Sequence, residues 1–129
     1  MRLLLDTHVF LALIEPQLTG FRPLTRWLAR QPDAELSLSI ASLWEIAIKR
    51  RLGKLDLPVE LSELPGLARL LGIELIVITA QHVLSQLDPE PVTRDPFDRL
   101  LLAQCGAEDL RLLTADRALV RHPLAFDWS

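Results

Sequence analysis

Short apolar runs recur along this chain, and two of them stop at a carboxylate. Leu3-Leu4-Leu5 leads straight into Asp6, and Leu112-Leu113-Thr114-Ala115 leads into Asp116. A brief, uninterrupted apolar run fits a strand buried on both faces, as in a parallel sheet. Further strands are expected at residues 35–40, 73–78 and 111–114, with a fifth at 124–128. Between them the period changes to that of helices. Val9, Phe10, Leu11, Leu13 and Ile14 read as a helix broken at Pro16. Gly20 and Pro23 bracket a loop, and a helix over 24–30 stops before Pro32. Leu43, Ile46, Ala47, Ile48 and Leu52 fit a helix from Ser42 that ends at Gly53. Shorter helices are expected at 67–71, 81–87 and 115–120, and Asp95-Pro96-Phe97-Asp98 opens another with its body at 99–107. The alternation predicts an α/β fold, with a mainly parallel central sheet of four to five strands flanked by helices.

Composition narrows the class. Half of the 129 residues are hydrophobic and 24% are charged, which excludes intrinsic disorder and leaves one domain with a sizeable core. The single cysteine, Cys105, rules out an internal disulfide and a thiolate zinc cluster, and it sits in an apolar run as a buried residue would. The N-terminal apolar stretch reaches an acid at position six, too soon for a signal peptide or a membrane span. Residues 75–87 carry no charge but include Thr79, Gln81, His82 and Ser85. A cytoplasmic protein with no membrane contact is expected. The net charge of −3 argues, as an average, against tight binding to nucleic acid.

The positions of the acids qualify that average. In open parallel sheets, ligands bind beyond the carboxyl ends of the strands. Asp6 and Asp116 fall at such ends, Glu45 lies early in the helix after the second strand, and Asp95 and Asp98 begin the helix before the fourth. Four carboxylates brought together repel one another unless a cation neutralises them. Hard oxygen ligands without His or Cys select Mg²⁺ or Mn²⁺, and such ions promote attack of water on phosphodiesters. Each acid also has a plainer role. Ser42-Leu43-Trp44-Glu45 matches a capping box, Asp95-Pro96 matches an N-cap followed by proline, and Asp116 can cap the helix at 115–120.

Four stretches, in order and spaced over nearly the whole chain, resemble PIN-domain ribonucleases of the VapC type, the toxin half of type II toxin–antitoxin pairs. They are Leu4-Leu5-Asp6-Thr7-His8, Ser42-Leu43-Trp44-Glu45-Ile46-Ala47-Ile48-Lys49, Arg94-Asp95-Pro96-Phe97-Asp98-Arg99-Leu100-Leu101 and Leu113-Thr114-Ala115-Asp116. The resemblance implies a single PIN domain over 1–129 and endonuclease activity on RNA that depends on Mg²⁺ or Mn²⁺. It also implies growth inhibition through translation, a VapB-type antitoxin partner and a homodimer. By position, Asp6, Glu45, Asp98 and Asp116 correspond to the family's metal-binding, catalytic acids. Asp98 is preferred to Asp95 because an apolar helix follows it directly. Asp95 is then an N-cap or a supporting residue, and the hydroxyls of Thr7 and Thr114 orient Asp6, Asp116 or metal-bound water. Members with this pattern commonly carry histidine just before the Arg, where this chain has Val92 and Thr93.

Lys49, Arg50, Arg51 and Lys54 form a basic cluster after Glu45 that either complements the helix dipole or contacts RNA phosphates. Lys49, four residues on from Glu45, shares its helix face, and Arg99 is a weaker candidate for the same contact. His8 reads as structural, and His82 and His122 have no acid near them in sequence. Trp27, Trp44 and Trp128 read as core or interface residues, with base stacking at Trp44 a secondary option. Phe10, Leu11, Ile14, Leu24 and Leu28 suit either the core or a partner helix. Two other classes stay open. A receiver-like domain would need a lysine late in the chain, and the last one here is Lys54. A non-catalytic α/β binding domain would use the acids only as helix caps.

Overall fold

Leu3, Leu4 and Leu5 are fully buried because their strand has a core on each side. In the computed structural model, which describes residues 1–18 and 22–129, β1 (Arg2–Leu5) runs between β2 (Glu35–Ser39) and β4 (Arg111–Leu113). β3 (Ile73–Ile76) adds to β2, giving a four-stranded sheet in the order β3-β2-β1-β4 with every pairing parallel. Leu3 and Leu5 belong to one hydrophobic cluster, with Val9, Phe10, Leu24 and Ile46, whereas Leu4 belongs to another, with Leu101, Leu102 and Cys105. Side chains alternate along a strand, so consecutive leucines serve opposite layers. The three-layer α/β architecture follows.

The first layer holds α1 (Thr7–Ile14), α2 (Arg22–Ala29) and α4 (Leu64–Leu70), and the second is built mainly on α6 (Pro96–Glu108), joined by the short α5 (Ala80–Leu84). α3 (Ile40–Arg51) serves both, with Ala41 in one cluster and Ile46 in the other. Phe10, Leu11, Leu24 and Leu28 are core. Gly53 and Gly72 close α3 and α4 with φ of 71° and 75°, a conformation cheap only for glycine. The loop expected around Gly20 lies outside the described residues. Among the described residues no helix is long and apolar enough to cross a membrane.

Two expected elements are reduced. Residues 115–120 form successive turns rather than a helix. Asp116 Oδ1 takes the Ala118 N–H as an N-cap does, and the Asp116 carbonyl accepts from Leu119 and Val120, but the turn goes no further. The stretch is too short to propagate a helix before Pro123. The fifth strand shrinks to one parallel bridge, Leu112 with Ala125. Beyond it Phe126 packs on Trp27, ring centroids 5.4 Å apart, and Trp128 Nε1 donates to the Thr114 carbonyl at 2.9 Å. These anchors, with backbone bonds from Leu112 to Leu124 and from Phe126 to Leu112 at 2.8 Å, hold the tail along β4.

The strand order sets where a site can form. The chain steps from β1 out to β3, then returns so that β4 lies on the other flank of β1. Crossovers therefore diverge at β1 and β4, and a ligand site is expected beyond the carboxyl ends of these two strands.

Candidate active site

Asp6 follows β1 directly and occupies the N-cap position of α1 in extended conformation, φ −62° and ψ 151°. Its backbone N–H reaches the Leu113 carbonyl at 3.0 Å, which ties it to β4, and its own carbonyl accepts from Val9 and Phe10. The side chain does not cap the helix. Instead Oδ2 accepts the Thr114 hydroxyl at 2.6 Å, a short bond typical of a hydroxyl on a carboxylate. Thr114 is fully buried, and its Oγ1 also accepts the Asp116 N–H at 3.0 Å. One hydroxyl thus holds both strand ends.

Glu45 comes from α3. That helix starts earlier than expected, at Ile40, with the Ser39 side chain capping the Ala41 N–H. The capping box expected at Ser42 and Glu45 does not form, because the helix is already under way there. Ser42 Oγ accepts from Thr7 Oγ1 at 2.9 Å, which clamps α1 to α3. Thr7 therefore does not orient Asp6 through its hydroxyl, although its backbone bonds the carboxylate. Glu45 is buried and its Oε2 pairs with Lys49 Nζ at 2.9 Å.

Asp95 caps α6, its Oδ1 accepting from Phe97 and Asp98 N–H at 2.8 and 3.4 Å. Asp98, three residues on, is left free of capping work and accepts from Thr93 Oγ1 at 3.3 Å. Capping thus accounts for Asp95 and, through Ala118, for Asp116, and leaves Asp6, Glu45 and Asp98 unexplained.

Electrostatics bring the acids together. Burial pushes the Asp98 carboxyl up to about 7, and the charges of Asp95, Asp6, Asp116 and Glu45 add to that rise. Burial also raises Asp6, offset by the Thr114 hydroxyl and nearby His8, with Glu45 pushing it further up. The Glu45 charge thus acts on both Asp6 and Asp98. Among the described residues, however, no three His, Cys, Asp or Glu side chains stand close enough together to ligate one ion as placed. Glu45 is turned to Lys49, and Asp95 and Asp116 to backbone donors. The donor set itself, all carboxylate and hydroxyl oxygen, fits a hard divalent cation and no softer metal.

A stability prediction follows. Asp98 holds its proton to about pH 7 in the fold but to only about 3.8 when unfolded. The folded state thus binds more protons across that window, and stability falls as pH rises through it. Asp98→Asn removes the charged form, so its Tm in EDTA should exceed that of the wild type at pH 8 and converge with it near pH 4. A lower Tm at pH 8 would mean that the Thr93 bond outweighs the repulsion.

The basic candidates are dispersed. The Arg50 guanidinium is tied to the Val59 carbonyl. Arg99 grips both Glu90 carboxylate oxygens, at 2.6 and 3.3 Å, and the Ser85 carbonyl. Arg51 is exposed, and Lys49 alone stands beside an acid of the cluster. Two features were not expected. His82 is buried and its Nε2 meets Glu108 Oε1 at 2.8 Å, a strut between α5 and α6 spanning 26 positions, for which local sequence holds no signal. Trp44, read as a core or interface residue with base stacking a secondary option, is 59% exposed and so is not core.

The fold is an α/β domain with Asp6 and Asp116 just beyond the carboxyl ends of the two strands at the switch point of its sheet. The family model described as PIN domain matches residues 3–123. The chain belongs to the PIN domain family, whose members are nucleases. It is similar in fold to a crystal structure of VapBC2 from Rickettsia felis bound to a DNA fragment from their promoter. The TM-score is 0.62 and the identity 17%, over 98% of this chain and 96% of that one. No curated protein matches the chain in sequence.

Proposed function

We propose that this chain is a VapC-type toxin, an endoribonuclease dependent on Mg²⁺ or Mn²⁺ that inhibits growth until a VapB-type antitoxin neutralises it. The observation that supports this reading is the Thr114 hydroxyl joining Asp6 to the backbone of Asp116 at adjacent strand ends, with the charges of Asp6, Asp116 and Glu45 reaching Asp98. These four would hold the metal. When bound, the ion lowers the pKa of water and stabilises negative charge on the phosphate oxygens.

The chain's own residues prepare that chemistry. Thr114 fixes the Asp6 carboxylate and the backbone entering Asp116, so the two acids at the strand ends keep a set spacing. Lys49 places a positive charge beside Glu45, suited to a phosphate of the substrate. Arg51 is a further phosphate contact from the open surface. In this reading residues 1–129 act as one PIN domain in the cytoplasm, as a homodimer. The antitoxin partner is supported by the similar structure, whose subject is a VapBC pair.

The direct experiment incubates purified protein with end-labelled single-stranded RNA in Mg²⁺, in Mn²⁺ and in EDTA. Internal cleavage with either metal, and none in EDTA, is expected. Intact RNA under all three conditions would overturn the proposal.

A further inference from the structure

We infer that the groove between α3 and the start of α6 is a nucleobase subsite, with Trp44 as its stacking platform; the inference rests on the RNA-cleaving reading above. Glu45, Ile48, Lys49 and Leu52 recur at helical spacing and line one side, while Pro96 and Phe97 line the other. The groove encloses about 360 Å³, within the range of small-ligand sites. Trp44 stands against Phe97 in an edge-to-face contact, centroids 5.5 Å apart and planes at 70°. That contact leaves the indole 59% exposed at the edge of the groove that Phe97 lines. An open indole flanked by apolar side chains offers a large face that water serves poorly.

Position and charge select the occupant. Glu45 and Asp95 belong both to the groove and to the acid cluster, so the groove continues the proposed active site. Lys49 and Lys54 also line it, and Lys54 is exposed with no ion pair among the described residues. A single strand of RNA alternates flat bases with phosphates, and an exposed indole at the edge of a groove lined by two lysines complements that alternation. A base within a duplex is already stacked and cannot enter. The occupant is therefore an unpaired base next to the scissile phosphate.

The test compares wild type, Trp44→Leu and Trp44→Phe on a short single-stranded RNA, together with a series carrying one abasic site at each position in turn. Trp44→Leu should raise KM about ten-fold with little change in kcat, and Trp44→Phe should recover most of the loss. One abasic position should weaken wild type by a similar factor and leave Trp44→Leu unaffected further. If no such position exists, or if it penalises both proteins equally, the subsite is overturned while RNA cleavage stands. If wild type cleaves no RNA with either metal, the underlying RNA reading fails and takes the subsite with it. An unchanged abasic profile, with Trp44→Leu shifting the oligomeric state or weakening antitoxin binding, would assign this face to a protein contact and overturn the proposal.

Discussion

Asp6→Asn is expected to lower RNA cleavage on the order of a hundred-fold or more, and to abolish growth inhibition, in a protein that stays folded. Asn retains an oxygen that can accept the Thr114 hydroxyl, so the bond at 2.6 Å has a near-isosteric replacement. It removes a carboxylate that burial disfavours in its charged form. The folded pKa of Asp6 lies above its unfolded value, so the charged group costs stability as pH rises past about 3.8. The variant should therefore melt no lower than wild type at neutral pH. Cleavage assays, circular dichroism and thermal melts together separate the two effects. Undiminished cleavage by Asp6→Asn would remove Asp6 from the site and sink the metal assignment with it.

Phe10→Ala should have the largest effect on stability, a loss of about 3–5 kcal/mol. Phe10 is fully buried and belongs to the same cluster as Val9, Leu24 and Ile46. Its N–H also bonds the Asp6 carbonyl at 3.1 Å, so it lies one turn from the acid it supports. Total stability of such domains is about 5–15 kcal/mol, and the variant would forfeit a large part of it. A fall of more than about 10 °C in Tm is expected, with a matching shift of the urea midpoint. A loss below about 1 kcal/mol would place Phe10 outside the cooperative core.

Much of this architecture was legible because burial on both faces leaves a strong mark. Leu3-Leu4-Leu5 and Leu112-Leu113 read as buried parallel strands, and they pair with each other as β1 and β4. The strand ends, where Asp6 and Asp116 stand, were legible for the same reason. Marginal elements were not. Residues 115–120 carry apolar positions at helical spacing, but the turn that Asp116 opens stops within one turn, before Pro123. Residues 124–128 look like a strand, but their pairing reduces to backbone bonds with Leu112, while Trp128 bonds the Thr114 carbonyl.

At the site, pairs close in sequence were readable and distant ones were not. Lys49 reaches Glu45 one turn away, as helix spacing suggests. The Thr7–Ser42 clamp and the His82–Glu108 strut join positions 35 and 26 apart, and only the tertiary fold brings them together. Arg99 illustrates a different failure. Its neighbour Asp98 suggested a role beside the substrate, but Glu90 on the proline-rich loop neutralises it instead. Which cation pairs with which acid depends on loop conformation, to which periodicity is blind.

The Thr114–Asp6 hydrogen bond spans 108 positions, nearly the length of the chain. Contacts of such separation carry the greatest loop-closure cost and are favoured only after the intervening structure has formed. During synthesis the N-terminal segment emerges first, so Asp6 waits, solvated, for almost every later residue to be made. This edge of the sheet is thus completed late: a growing polypeptide that ends before β4 carries Asp6 without the hydroxyl that seats it, and only the finished chain on the ribosome can close it.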